Sequence, residues 1–223
     1  MVAKRIVFFG AGGFGREVLQ VVRDINRSQP ETWNPIGFIV DSEYNPPPTV
    51  QDLPVLGGVE WLRQNEDVYV VVCVGSPAQK RKIVKKIVSD FGNPFATLVH
   101  PRAWLGDNVR LGCGTVICAG SLITTDIQIG DHVHVNLGST IGHDAELKDF
   151  VTLNPSVNIS GNVTLQEGVE VGTGSVIIPH AHIGAWSIIG AGSTVVKPLS
   201  ENITAVGSPA RVIKIRPPGW HEG

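Results

Sequence analysis

From Leu105 to Val195 an aliphatic residue returns every six positions, through Ile117, Ile129, Ile141, Leu153, Leu165, Ile177 and Ile189, sixteen times without a miss. At the chain's apolar fraction of 42%, sixteen independent matches have a chance probability on the order of one in a million. Glycine often follows the aliphatic, as in "LGDNVR" and "IGHDAE". Valine often sits four places on, as at Val109, Val133, Val151, Val157, Val163 and Val169. A period of six matches neither a helix of about 3.6 residues per turn nor a simple hairpin. It suits a short strand plus a turn, repeated, so that each aliphatic points to a common axis. Three such faces close a triangular coil, and the stack buries a narrow aliphatic core with hydrogen bonds running between coils. By this arithmetic the hexads make about five coils.

The N-terminal part has a different rhythm. "RIVFFGAGGFGREVLQVVRDI" reads as strand, glycine turn and helix, with the strand over residues 5–9. Gly10, Gly12 and Gly15 fit G-x-G-x-x-G, a spacing that permits a tight turn and close approach of a phosphate to the first N–H groups of a helix. The same glycines can equally serve helix–strand packing. Val18, Val21, Val22 and Ile25 give the helix one apolar face. "PIGFIVD" reads as a second strand ending in Asp41, "NPPPT" as an extended loop, and "VYVVVCVGSP" as a third buried strand followed by the helix "AQKRKIVKKIVSDFG". Alternating strands and helices predict a small parallel α/β sheet of Rossmann type, with ligands at the carboxyl ends of the strands. Gly12, Gly13, Phe14, Asp41, Gly75 and Ser76 all lie at such ends. Asp41 stands 26 residues beyond Gly15, past the usual ~20 for a ribose-binding acid. One nucleotide therefore fits this half better than two. The predicted domains are 1–97, Rossmann-like; 98–198, β-helix; and 199–223, a C-terminal extension.

Composition excludes some partners. The 223 residues carry a net charge of −2, which gives no basic field for nucleic acid. No apolar run reaches the ~18 residues of a membrane helix. "MVAKRIVFFGAGG" runs into a glycine turn and is not read as a signal peptide. Cys73, Cys113 and Cys118 are odd in number and lack metal-type spacing, which fits free thiols in a reducing cytosol.

The hexads resemble the left-handed parallel β-helix of acyltransferases, and the handedness comes from that resemblance. "FFGAGGFGREV", "VGSPAQKRKI", "LVHP", "GSTIGHDAEL" and "VGSPAR" occur in that order along the chain. Together they are similar to the hexapeptide-repeat sugar O-/N-acetyltransferases of the sialic-acid O-acetyltransferase and bacillosamine-pathway type. The resemblance implies His143 as general base, supported by Asp144. An imidazole near pKa 6.5 can accept the proton that an attacking amine or hydroxyl must lose, and a carboxylate can hold its tautomer. Asp144 stands where relatives carry Glu, so its reach is shorter. The resemblance also implies acetyl-CoA contacts at Thr152, Gly161, Thr173 and Ala191, with a backbone N–H at Gly161 facing the thioester oxygen. Some relatives place histidine where Thr152 stands. Lys197 and Arg211 can neutralise coenzyme phosphates or stand in solvent.

The acceptor side follows in the same way. Gly12, Gly13 and Phe14 are expected to cradle a diphosphate, Asp41 to bond a base or ribose, and Gly75 to let a nucleotide pass. Relatives often carry His or Tyr where this chain has Phe14. The implied function is acetyl-CoA-dependent N-acetylation of a nucleotide-linked amino sugar by a cytoplasmic homotrimer, without an acyl-enzyme, a metal or membrane insertion. O-acetylation of a sugar hydroxyl is the alternative; a zinc hydratase or a non-catalytic scaffold is a third reading. His132 and His134, two apart, allow a shared metal face, but solvated surface rings are the simpler expectation for His132, His134, His180, His182 and His221.

Overall fold

The structure, a computed structural model, describes residues 2–222. All sixteen hexad aliphatics are the second, inward-pointing residue of two-residue strands, from Trp104–Leu105 to Thr194–Val195. Leu98–Val99 adds one more strand in the same phase. Each strand pairs in parallel with the strands 18 residues before and after it: Ile123 lies between Leu105 and Ile141. Three steps of six thus make one coil, and like residues stack along a three-sided prism. Its first face holds Leu98–Val99, Val116–Ile117, His134–Val135, Thr152–Leu153, Glu170–Val171 and Ile188–Ile189. Ile203–Val206 extends that face, and Arg211–Ile215 closes it antiparallel. The second face runs from Trp104–Leu105 to Thr194–Val195, the third from Arg110–Leu111 to His182–Ile183.

The corners explain the other repeated residues. Most corners hold one residue of positive φ. On the edge between the second and third faces these are Asn108, Asp126, Asp144, Asn162 and His180, at 58–62°. Asn and Asp reach this region at low cost because their short polar side chains bond locally. The glycine directly after the aliphatic has another purpose. A Cβ on Gly142 would lie 2.6 Å from the Gly161 nitrogen of the next coil. Glycine there lets successive coils approach; it does not supply φ.

In the N-terminal part, β1 (Lys4–Phe9), α1 (Gly13–Ser28) and β2 (Trp33–Ile39) follow the predicted order. A hairpin, β3 (Thr49–Val50) and β4 (Leu53–Gly57), was hidden by its short length and by Pro54. The last strand, β5 (Tyr69–Val72), stops short of the predicted run, and α2 (Pro77–Asp90) follows. The sheet order is β3-β4-β2-β1-β5, parallel except for the hairpin. Ile6 and Phe8 pack on Val18, Leu19 and Val22 of α1; Val7 and Phe9 pack on the other layer with Leu62, Val84 and Ile87. Among the described residues no helix is long and apolar enough to cross a membrane.

This sheet and its helices sit on the first face of the prism. Leu98 and Val116 point outward from that face into the α1 core. The contact overturns the expectation of solvated rings for three histidines. His132 and His134 are 4% and 1% exposed. His134 lies 4.8 Å from the Phe14 ring, and His132 is stacked on Phe150 and edge-on to Phe95. His221 is buried as well, stacked on Trp186 at 3.8 Å. His180 and His182 are exposed, as expected. Hexad spacing marks the outward positions, but not that a second domain covers one face.

Two measurements test this packing. Ile129→Ala should cost roughly 2–4 kcal/mol of stability by urea denaturation, while Gln128→Ala, its outward neighbour, should stay within about 0.5 kcal/mol. Burial, then the nearby Lys80 charge, lowers the His132 pKa from 6.5 to about 4. The unfolded ring therefore takes up its proton at higher pH than the folded one. The contribution is fully present above pH 6.5 and is lost as pH falls towards 4, up to about 3 kcal/mol for one site. His132→Phe should show a smaller drop in urea midpoint between pH 7 and pH 5 than the unaltered chain; an equal drop would assign the effect elsewhere.

Candidate active site

The glycines of the first turn divide by task. Gly10 has φ +104°, and a Cβ on Gly15 would lie 2.1 Å from the Gly10 carbonyl, so these two serve the turn and helix packing. A Cβ on Gly12, Gly13 or Gly75 would meet nothing within 4 Å. These three border open space at the carboxyl ends of β1 and β5, which are neighbours in the sheet. The first turn of α1 has no acidic residue and no side-chain cap. Its N–H groups and the positive end of its dipole suit an anion. Asp41 follows β2, and its Oδ1 accepts from the Val59 N–H at 3.2 Å, where the 3₁₀ helix Val59–Gln64 begins. Phe14 is half-buried with its ring turned onto His134.

His143 and Asp144 stand on the edge between the second and third faces. Neighbouring strand residues point apart, but the φ of 58° at Asp144 breaks that alternation. His143 Nδ1 and Asp144 Oδ2 are 2.7 Å apart, with side chains 60% and 56% exposed. The carboxylate accepts the Nδ1 hydrogen, which assigns the free lone pair of a neutral ring to Nε2. One coil on, a Cβ at Gly161 would come within 2.6 Å of that Nε2. Only glycine lets the ring lie there. Among the described residues the Gly161 N–H has no acceptor.

The prism separates the predicted residues into groups. His143 and Gly161 share one edge, one coil of 18 residues apart, and Lys197 follows Thr194–Val195 on that edge in a shortened corner where Ile183 pairs with Leu199. Thr173 and Ala191 are exposed on the edge between the first and second faces. The edge that carries His143 lies opposite the first face, where the N-terminal domain is docked. Thr152, expected to contact acetyl-CoA, lies in the contact between the two domains. It is 1% exposed on the first face; its Oγ1 accepts from Lys80 Nζ and donates to the Gly75 carbonyl, both at 3.1 Å. Its hydroxyl is taken up by the domain contact and faces no open groove.

Sequence reading passed over Lys80, which is fully buried. A signal existed: Ile83, Val84 and Ile87 follow it at helical spacing, which places Lys80 on the apolar face of α2. Burial holds its pKa well below 10.5. The thiols are poor nucleophiles. Burial, then Asp131, raises Cys113 to about 11, and burial raises Cys118 to about 12, far from the thiolate at neutral pH. Among the described residues no group of three or more His, Cys, Asp or Glu is placed to hold a metal.

Comparison with known proteins follows these parts. The family described as PglD N-terminal domain matches residues 5–87. A galactoside O-acetyltransferase of Lactococcus lactis subsp. lactis (strain IL1403) is 30% identical over 162 residues, 68% of this chain and 77% of that protein. The acetyltransferase domain of PglB from Neisseria gonorrhoeae FA1090 superposes with a TM-score of 0.87 at 27% identity, over 94% of this chain and 100% of that one. PerB from Caulobacter crescentus, solved in complex with CoA and GDP-perosamine, gives 0.84 at 29% identity, over 94% and 97%. A PglD-type α/β domain, a left-handed β-helix and this likeness across nearly the whole chain place the protein in the hexapeptide-repeat sugar acetyltransferases.

Proposed function

We propose that the enzyme carries an acetyl group from acetyl-CoA to the amine of a nucleotide-linked amino sugar, with His143 as general base. The observation that carries this reading is the His143–Asp144 pair: an exposed ring with Nδ1 held at 2.7 Å and Nε2 laid against Gly161. The similarity to PerB, solved with CoA and GDP-perosamine, supports the acceptor class.

The sugar amine attacks the thioester carbonyl and gives its proton to Nε2. Asp144 holds the ring and stabilises the imidazolium. The unpartnered Gly161 N–H is in place to steady the oxygen that becomes negative. The C–S bond then breaks, and the imidazolium returns the proton to the departing thiolate. No acyl-enzyme forms, in keeping with the raised thiol pKa values. Lys197, three coils from His143, lies about 14 Å along the edge at the strand spacing of a sheet, where a cation suits the coenzyme's phosphates. Thr173 and Ala191, on the other edge of the second face, border the pantetheine arm of a neighbour's coenzyme.

One chain cannot gather these groups. Its acceptor loops stand on the first face and its base on the opposite edge. A ring of three copies closes edge against edge, so that a coenzyme lies between neighbours and one copy's base meets another's acceptor. The likeness to a galactoside O-acetyltransferase favours a second reading, with a hydroxyl acceptor and the same base. Acetyl-CoA supplied with uridine-, guanosine- and thymidine-diphosphate amino sugars and with free sialic acid separates the two: an N-acetylated sugar nucleotide is expected, and product from sialic acid alone would reject the amine reading.

His143→Ala should lower kcat by about 10²–10⁴ while the CoA Kd changes little; retained turnover would remove His143 from the chemistry. A second expectation concerns the assembly. Inactive His143→Ala and inactive Gly13→Asp, co-expressed in equal amount, should together recover about a quarter of the normal rate, because some neighbours pair an intact base with an intact loop. A site built within one chain would recover none.

A further inference from the structure

Lys80 is a buried amine that the chemistry above does not use. It lies on α2, just inside the turn that follows β5, with no carboxylate at salt-bridge distance among the described residues. Its partner is the Thr152 hydroxyl. That hydroxyl has one hydrogen, and it goes to the Gly75 carbonyl. Since a lysine ammonium or amine donates here, Thr152 accepts from below and donates above, and the direction of the chain Lys80 → Thr152 → Gly75 is fixed.

The consequence lies in the next peptide group. A trans peptide points its C=O and N–H in opposite directions. With the Gly75 oxygen drawn down onto the prism, the Ser76 N–H points away from it, out of the loop. Among the described residues that N–H has no partner. Gly75 itself borders open space, and Ser76 is the N-cap of α2, with Pro77 directly after it. The neighbouring loop is built on the adjacent coil: Phe14 rests on His134, which is paired in register with Thr152. Two successive rungs of the prism thus carry the two loops at the ends of β1 and β5.

We infer that Thr152, held by Lys80, is a positioning residue for the acceptor: it turns the Gly75–Ser76 peptide so that the Ser76 N–H joins the α1 N-terminus in binding the diphosphate of a nucleotide. This rests on the nucleotide-sugar reading above. It moves Thr152 from the donor side of the reaction to the acceptor side.

Titration calorimetry with UDP, GDP and dTDP, and separately with CoA, tests it on the full-length protein. Whichever diphosphate binds the unaltered chain should bind Thr152→Val roughly 5–20-fold more weakly. Thr152→Ser, which keeps the hydroxyl, should restore the affinity. Lys80→Met should fall between, because it frees the hydroxyl to rotate without removing it. The CoA Kd should stay within about twofold throughout, and thermal melts report whether each variant is folded. Equal diphosphate affinity in a folded Thr152→Val, a parallel loss of CoA affinity, or failure of serine to restore binding would each overturn the inference and leave the nucleotide reading intact. Absence of diphosphate binding by the unaltered chain would overturn both.

Discussion

Registry between successive coils is the constraint on which everything else rests. Each inward aliphatic sits directly over its equivalent 18 residues earlier, as Ile123 sits over Leu105 and under Ile141. Parallel pairing by itself carries no preference for that alignment. The alternation of inward and outward residues supplies it, because a slip of one position would expose the aliphatic column and bury the polar one. The corner glycines protect the same alignment. A side chain on Gly142 would hold the coils apart, and the hydrogen bonds between them would fail together.

Once the coils are in register, chemistry can be distributed by edge. The edge between the third and first faces carries bulky residues at three of its left-handed positions, His132, Phe150 and Trp186, with Gly114 and Gly168 at the others. All three bulky residues are used for docking: His132 and Phe150 against Phe95 and its neighbours, and Trp186 between Arg81 and the His221 ring. Arg81 also pairs with Glu167 on the prism and Glu222 in the tail, so α2 is held from both sides. The edge between the second and third faces carries Asn or Asp at the same positions, with His180 as the exception, and leaves the His143 ring in solvent. On the proposed reading, the protein separates adhesion from reactivity on a scaffold whose corners are built to one plan.

The sequence disclosed the prism almost completely, because its periodicity is local and repeated. Sixteen hexads were visible, and Val99 extends the series by one. The glycine that often follows the aliphatic was also visible, although its purpose, close approach of the next coil, was not. The left-handed position two residues later escaped notice because Asn, Asp, Gly, Ser, His and aromatic residues all occupy it. The pairing of His143 with Asp144 came from the family resemblance; the corner that brings two adjacent side chains together was not legible in the sequence. His132 and His134 were misread, and the burial of Thr152 was not foreseen, for a single reason. Their surroundings are set by the other domain, across contacts such as the 72-residue separation between Lys80 and Thr152. No window along the chain contains that information. Lys80 could have been found, since its place on the apolar side of α2 needs only helical spacing.

The equivalence of the coils has one further consequence. Moving a side chain by 18 residues leaves its direction unchanged and shifts it by a single rung. The prism is thus graduated like a ruler, and the gap between any two groups on an edge comes in whole divisions. His143 and Gly161 stand one division apart. A descendant fitted to a longer or shorter donor would not need a new pocket; it could transfer one residue to the next mark and keep every angle.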